Sequence, residues 1–422
     1  MSAADPTTST RPRVVVVGGG FGGLAAAREL AGADVDVLLL DRDPYSTFQP
    51  LLYQVATGAL NPGDVTYALR AFAGRHRNIH FQRATVTRVD PAGRRVHLDS
   101  GAEIPYDFLV LACGVTANYF GIPGAAEHAR TIYTRAEAIR VRDRLLSNLE
   151  EFAQGREHAT EPVTVVVGGG PTGVEMAGAL AELRNTGLSR AYPEVDPRRV
   201  RVLLVEMTDE VLGQFHPSLR AYAADALRER GVELRLGVAV KEVHPDRVVL
   251  SNGEEVPTAA TIWATGVEVS DEVSRWGLPQ GRGGRIQVRP DLRVEGFDEI
   301  FAVGDVAAGR DDPLPQLARP AIDGGRHAAA QIRRLLAGEE TKPFTYFDRG
   351  VSATIGRSDA VIQLPLGIRL RGLPAWLGWV GIHVLMLMGG RNQFATMVNL
   401  AARYLTWRHA PNVIVGDPPS RS

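Results

Sequence analysis

The chain has 422 residues, enough for two or three domains at about 100–200 residues each, and it is nearly neutral, with 47 Lys and Arg against 48 Asp and Glu. That balance lacks the basic excess of a nucleic-acid-binding chain, and a single cysteine, Cys113, excludes both an internal disulfide and a CxxC redox pair. Glycine is the outlier at 45 residues, about 11% against a usual ~7%, so the positions of the glycines carry the information.

Residues 1–11 have no apolar core of the kind a signal peptide needs and are expected to fray. Arg13–Leu30 then reads RVVVVGGGFGGLAAAREL: a β-branched strand, a glycine cluster and an alanine-rich helix. Gly18, Gly20 and Gly23 form G-x-G-x-x-G across that junction. The first glycine permits the tight turn, the second lets backbone approach a pyrophosphate, and the third lets helix and strand pack closely. Free N–H groups at the helix start attract the phosphates. Val35–Leu40 is the next strand, and it ends at Asp41, 23 residues after Gly18, where a carboxylate binds a ribose diol. Together with Phe21 at the helix start, these residues are expected to hold one dinucleotide. Val86–Val89, Val96–Leu98 and Phe108–Leu111 read as a small antiparallel meander returning to the main sheet. Cys113 follows as a small residue suited to a cofactor wall, with no identifiable base to activate its thiol.

The pattern then repeats. Thr164–Ala181 reads TVVVGGGPTGVEMAGALA, with Gly168, Gly170 and Gly173 matching the first motif at an offset of 150 residues. The strand Val200–Val205 ends at Glu206, 38 residues after Gly168, so Asn185–Arg199 is expected to loop out. A carboxylate there accepts from a ribose 2′-OH and repels a 2′-phosphate, which favours NADH over NADPH. Glu175 lies in the first turn of the second helix, where it either complements the helix dipole or reaches a nicotinamide–flavin contact. Val232–Leu236, Arg247–Leu250 and Ala260–Trp263 read as a second meander. Gly296–Asp305 is a late strand closing in Gly304-Asp305, where Asp305 serves either flavin ribityl hydroxyls or a helix N-cap. The helix Ile322–Leu336 would direct its N-terminus at the flavin ring. Two such loops call for two dinucleotides, and the economical pair is FAD and NADH.

The expected fold is therefore α/β. It has two Rossmann-like dinucleotide-binding domains with small antiparallel meanders, plus a C-terminal amphipathic helical module. The expected bounds are 12–120 and 291–342 for FAD, 121–290 for NADH and 343–422 for the tail, with the last boundary at Lys342–Phe344.

These motifs resemble the type II NADH:quinone oxidoreductases, single-chain NADH dehydrogenases that do not pump protons, over roughly Arg13 to Trp407. The resemblance is carried by Phe48–Gly58 (FQPLLYQVATG), Asn118-Tyr119-Phe120-Gly121, Gly168–Glu175 (GGGPTGVE), Trp263–Val267 (WATGV), Gly304-Asp305 and Trp376–Tyr404. It implies that Phe48–Leu52, with Gln49, Pro50 and Leu51, runs under the flavin ring. It further implies that Gly266 and Gly304 border the cofactors, that Asp305 binds FAD, and that Glu175 is the family's glutamate at the nicotinamide–flavin contact. One departure stands out. The family usually carries A-Q-x-A-x-Q along its quinone pocket, whereas Ala318–Gly324 reads ARPAIDG, so Arg319 and Asp323 replace both glutamines.

In the tail, Leu373–Met388 is apolar but too short and too flanked by arginine to span a bilayer. Phe394, Met397, Val398, Ala401, Tyr404 and Leu405 follow at helical spacing. From Ala360 to Gly416 there is no acidic residue, while Arg369, Arg371, Arg391, Arg403 and Arg408 remain. With Trp376, Trp379 and Trp407 this reads as an interfacial anchor; the competing readings are a buried helix pair or a homodimer interface. His383 reads as a helix-interior residue, and no His/Cys cluster has metal-ligand spacing.

The expected activity is hydride transfer from NADH to FAD and electron transfer to a quinone at the cytoplasmic face of the cell membrane, with peripheral attachment. The alternative is a soluble NADH-dependent flavin reductase serving a ferredoxin-like protein or a specialised quinoid metabolite.

Overall fold

The computed structural model describes residues 11–155, 161–188, 191–309, 314–387, 389–390, 393–394 and 396–398. The chain groups into two compact units. Of the described residues, the first comprises those up to Ser46, Tyr67–Thr116 and Val267–Phe347; the second comprises Thr47–Thr66, Ala117–Gly266 and those from Asp348 on.

The first unit is built on a five-stranded parallel sheet in the order Ile300–Ala302, Phe108–Leu111, Arg13–Val17, Asp36–Asp41, Ile79–Arg83. Val14, Val15 and Val16 are fully buried because a parallel sheet is covered on both faces, which explains the unbroken β-branched run. Helices Phe21–Glu29 and Ala318–Leu336 pack closely through small residues: a Cβ on Gly325 would collide with the Gly22 carbonyl oxygen and lie 3.2 Å from the Ala25 Cβ. That contact seats the Gly304–Val306 turn, since a Cβ on Gly304 would sit 3.1 Å from the Ala321 Cβ.

The second unit repeats this plan. Its sheet runs Ala129–Arg130, Ala260–Trp263, Val163–Val167, Arg201–Glu206, Val232–Leu236, all parallel. Val232–Leu236 is therefore an edge strand of the main sheet and not part of the meander. It follows the helix Pro217–Glu229, and a helical crossover returns the chain parallel to the strand before it. The meanders are Val86–Asp90, Arg95–Leu98 and Glu103–Pro105 in the first unit, and Val240–Val243, Arg247–Leu250 and Glu255–Pro257 in the second.

The unit limits differ from the bounds read in the sequence. Residues 267–290 belong with the first unit, where Ile286–Val288 pairs with Ala307–Gly309. Thr47–Thr66 and the tail belong with the second. The tail opens with an antiparallel sheet, Val351–Gly356, Asp359–Gln363 and Arg369–Arg371. Its first strand lies on helix Pro171–Glu182 at Gly178, where any Cβ would collide with the Ile355 carbonyl oxygen. The buried Asp359 fastens the sheet to helix Pro217–Glu229 by accepting from Tyr222 Oη at 2.8 Å and pairing with Arg230 at 2.9 Å. Helix Gly372–Met386 then packs on the strand Asp359–Gln363. Within the expected Asn185–Arg199 loop, Leu183–Leu188 continues as a π-helical turn and Pro197–Arg199 as a 3-10 turn.

Candidate active site

The two glycine loops are duplicates in atomic detail. Gly18 and Gly168 adopt φ of 104° and 110°, a region in which L side chains are strained. Their N–H groups donate to Leu40 and Val205 at 2.8 Å each. A Cβ on Gly23 or Gly173 would collide with the Gly18 or Gly168 carbonyl oxygen respectively, so neither helix could approach its strand with any larger residue. Gly20 and Gly170 differ from these: a Cβ there would meet nothing within 4 Å, so both face open space at a helix N-terminus. Those cradles fit a pyrophosphate each.

The strand-end acids are also matched. Asp41 accepts from the Gly19 N–H at 2.5 Å and the Asp43 N–H at 2.8 Å. Glu206 accepts from the Gly169 N–H at 2.6 Å and from the Thr208 N–H and hydroxyl, both at 2.9 Å. Each carboxylate oxygen accepts about two hydrogen bonds, which leaves both Asp41 oxygens and one Glu206 oxygen with capacity for ribose hydroxyls. Burial raises the Asp41 carboxyl above its usual range, against the pull of those backbone donors. The Cys113 backbone lies against Gly18, and burial pushes its thiol up to about 12, which disfavours the thiolate at neutral pH.

Asp305 sits in the 3-10 turn Gly304–Val306. Burial raises its carboxyl to about 6, and the nearby Arg285 charge opposes that rise. The following helix starts at Ala318, four residues before the expected Ile322, which puts Arg319 in its first turn. An arginine there opposes the helix dipole. It is held by Asp323 one turn on, through Nε to Oδ2 at 2.9 Å, with both side chains about three-quarters covered. The two residues that replace the family's glutamines thus form one ion pair.

In the second unit Glu175 is partly buried on helix Pro171–Glu182 and accepts from the Thr354 N–H at 3.3 Å. Desolvation raises its carboxyl to about 8, so the neutral acid dominates at pH 7. Phe48 and Tyr53 of the FQPLLYQ segment, Thr354 of the tail sheet and Trp379 and His383 of the tail helix surround this region. Tyr53 Oη and Thr354 Oγ1 are 2.9 Å apart, and Trp379 stacks on His383 with centroids 3.9 Å apart. Burial pushes His383 down to about 4, so it is neutral at pH 7, and its Nδ1 bonds the Trp379 carbonyl at 2.8 Å.

Of the remaining expected residues, Gln49 and Pro50 lie in the 3-10 turn Gln49–Leu51, where Gln49 donates to the Tyr133 carbonyl at 3.3 Å and Leu51 is buried. Gly266 has φ 68°, and a Cβ on it would overlap the Phe120 ring, itself left-handed at φ 52° and largely exposed. Sequence reading did not find Tyr53, Thr354 or Trp379 as neighbours of Glu175. Tyr53 lies inside a motif singled out there, but Thr354 sits in a strand with no distinctive residue, and Trp379 read as a surface anchor.

The profile of the pyridine nucleotide-disulphide oxidoreductases matches residues 12–325. The chain is 36% identical over 415 residues to the type II NADH:quinone oxidoreductase Ndh of Mycobacterium tuberculosis, covering 94% of this chain and 89% of that one. It is 31% identical over 365 residues to the type II NADH:quinone oxidoreductase of Staphylococcus epidermidis, covering 83% and 89%. In fold it is similar to NDH2 of Plasmodium falciparum solved in complex with NADH, with a TM-score of 0.89 at 17% identity over 95% of this chain and 99% of that one. Duplicated dinucleotide loops, each with its own strand-end acid, and relatives matched over nearly the whole chain lead to one assignment: the chain belongs to the pyridine nucleotide-disulphide oxidoreductase family and, within it, to the type II NADH:quinone oxidoreductases, FAD-dependent NADH dehydrogenases.

Proposed function

We propose that the chain carries out this family's reaction, NADH to FAD to quinone, as a peripheral protein on the cytoplasmic face of the cell membrane. The observation that carries the chemistry is the matched pair of loops, each with an open cradle at its second glycine and a strand-end carboxylate. The Gly18 loop, Phe21, Asp41, Gly304 and Asp305 hold FAD; the Gly168 loop, Glu206 and Gly266 hold NADH. Bound FAD supplies a two-electron acceptor that NADH reduces and a quinone reoxidises. Glu206 selects NADH by repelling a 2′-phosphate. Glu175, neutral at pH 7, offers a proton as a hydrogen-bond donor and brings no negative charge to the nicotinamide. The Arg319 terminal nitrogens, not engaged by Asp323, are donors for the carbonyl of an acceptor. The relatives are named for quinone reduction, which favours a quinone over the acceptors a soluble flavin reductase would serve.

The membrane reading rests on the tail. No helix among the described residues is long and apolar enough to cross a membrane. Leu366 is nonetheless 99% exposed and held at φ 62°. A leucine in that backbone region costs roughly 1 kcal/mol, and burying its side chain returns about 1.5–3 kcal/mol. Ile368, Leu373, Leu377 and Leu385 are exposed nearby in sequence, beside the exposed Arg369 and Arg371. Phe394, Met397 and Val398 are exposed as well, while Ala401, Tyr404, Leu405, Trp407, Arg391, Arg403 and Arg408 lie outside the described residues. Arginine near an anionic leaflet contributes ~1 kcal/mol each. Flotation of the holoenzyme with anionic liposomes tests this reading. Binding at low salt that weakens but persists at high salt is expected. Protein remaining unbound at low salt would contradict it and leave the tail as a packing element or a homodimer interface.

A further inference from the structure

The tail does more than offer an apolar surface. Trp379 is 1% exposed, and its indole Nε1–H has no hydrogen-bond acceptor of normal geometry. Leaving a buried donor unpaired is costly, so its placement needs a reason. That N–H lies close enough to the Glu175 carboxyl to favour its charged form. The indole is held in place by the stacked His383 ring and by Tyr53, whose ring centroid is 6.4 Å away. On helix Leu52–Ala56, Gln54 Nε2 donates to Tyr53 Oη at 2.9 Å, and Tyr53 Oη shares a hydrogen bond with Thr354 Oγ1, also at 2.9 Å. Thr354 in turn donates its backbone N–H to Glu175.

We propose that Trp379 and Tyr53 are positioning residues that set the protonation of Glu175: Trp379 through its indole N–H, and Tyr53 by fixing the Thr354 N–H on the carboxyl. The consequence is that the tail helix, which carries Trp379, tunes the acid on the second glycine-loop helix. This rests on the reading of Glu175 given under Proposed function. The surroundings supply no competing charge. Strand Val351–Gly356 carries no titratable side chain, and helix Leu52–Ala56 brings only Tyr53. The tail helix contributes only His383, neutral at pH 7, to this neighbourhood. Glu206, Arg184, Arg201 and the charged residues of Pro217–Glu229 and Val232–Leu236 also lie on elements packed against helix Pro171–Glu182, and none of them acts on Glu175 through charge.

The test is an infrared pH titration of the FAD-loaded enzyme that follows the carbonyl stretch of protonated carboxyls. The wild type should show a band titrating near pH 8 that Glu175→Gln abolishes. Trp379→Phe keeps the aromatic stack and removes the N–H, so it should move the midpoint upward by roughly one pH unit. Tyr53→Phe, which leaves Trp379 intact, should move it the same way. An absent band, or a midpoint unchanged in both variants, overturns the proposal. Stopped-flow flavin reduction by NADH, measured over the same pH range, reports separately on the role of Glu175. Midpoints that move while the reduction profile does not follow them would uphold the positioning and refute the role of Glu175 in hydride transfer.

Discussion

Glu206 and Glu175 are both acids at the second glycine loop, yet their surroundings differ. Glu206 is held by three donors, two of them backbone N–H groups. Replacing it with alanine removes the repulsion of a 2′-phosphate; a loss of ~1.4 kcal/mol narrows the NADH:NADPH ratio of kcat/KM roughly tenfold. An unchanged ratio in steady-state assays would refute the role given to Glu206. Glu175 is raised to about 8 from an ordinary 4.5, so between those values the folded state binds more protons than the unfolded one. Its contribution to stability is therefore present at low pH and lost as pH rises through that window. Glu175→Gln should match the wild type in melting temperature near pH 5 and exceed it increasingly toward pH 8, as read by differential scanning fluorimetry. Arg319→Gln with Asp323→Gln replaces a mutually neutralised pair with the family's neutral side chains. Turnover with hydrophobic quinones should rise while NADH-driven flavin reduction stays constant; no change in either acceptor range or turnover would break the link between this segment and the acceptor pocket.

At the level of elements, the strands and helices that bind dinucleotides were legible because their signals are local. A β-branched run, glycines at fixed intervals and a strand-end acid specify the geometry over about forty residues, and the structure returns that geometry twice. The return helix was legible apart from its start, since Pro320 and the poorly placed Arg319 hid the first turn. Val232–Leu236 reads in sequence as part of a meander because its strand pattern does not distinguish a parallel edge from a hairpin; only the preceding helix does. The tail helix combines two roles that one apolar run cannot separate in sequence. Ala375 and Trp379 are buried within the second unit, while Leu373, Leu377 and Leu385 are exposed. Truncation before Gly372 would therefore strip Trp379 from Glu175 as well as remove the surface, so point changes test the surface more cleanly. Leu366→Asp with Leu385→Asp should weaken liposome binding at least tenfold, given about 1.5–3 kcal/mol for each buried leucine. FAD content and NADH-driven flavin reduction should stay intact. Equal flotation of variant and wild type would show that these leucines do not enter the bilayer.

For the whole molecule, the two-unit plan follows from a duplication visible as an offset of 150 residues, whereas the membership of the units does not. The FQPLLYQ segment lies inside the first unit's stretch of sequence but packs with the second, because Phe48 and Tyr53 find His383 and Trp379 more than 300 residues further along the chain. Contacts at that separation leave no periodic trace in a single sequence, which is why the neighbours of Glu175 emerged only from the structure. The central claim, that electrons pass from NADH through FAD to a quinone, is tested most directly by a two-stage anaerobic experiment on the purified holoenzyme. NADH is mixed first, and the flavin absorbance followed to full reduction; long-tailed and short-tailed quinones and one-electron acceptors are then mixed in turn. Rapid bleaching by NADH and rapid recovery with quinones, fastest with long-tailed ones in the presence of liposomes, is the predicted result. Flavin that NADH reduces but that only a one-electron acceptor reoxidises would contradict the account.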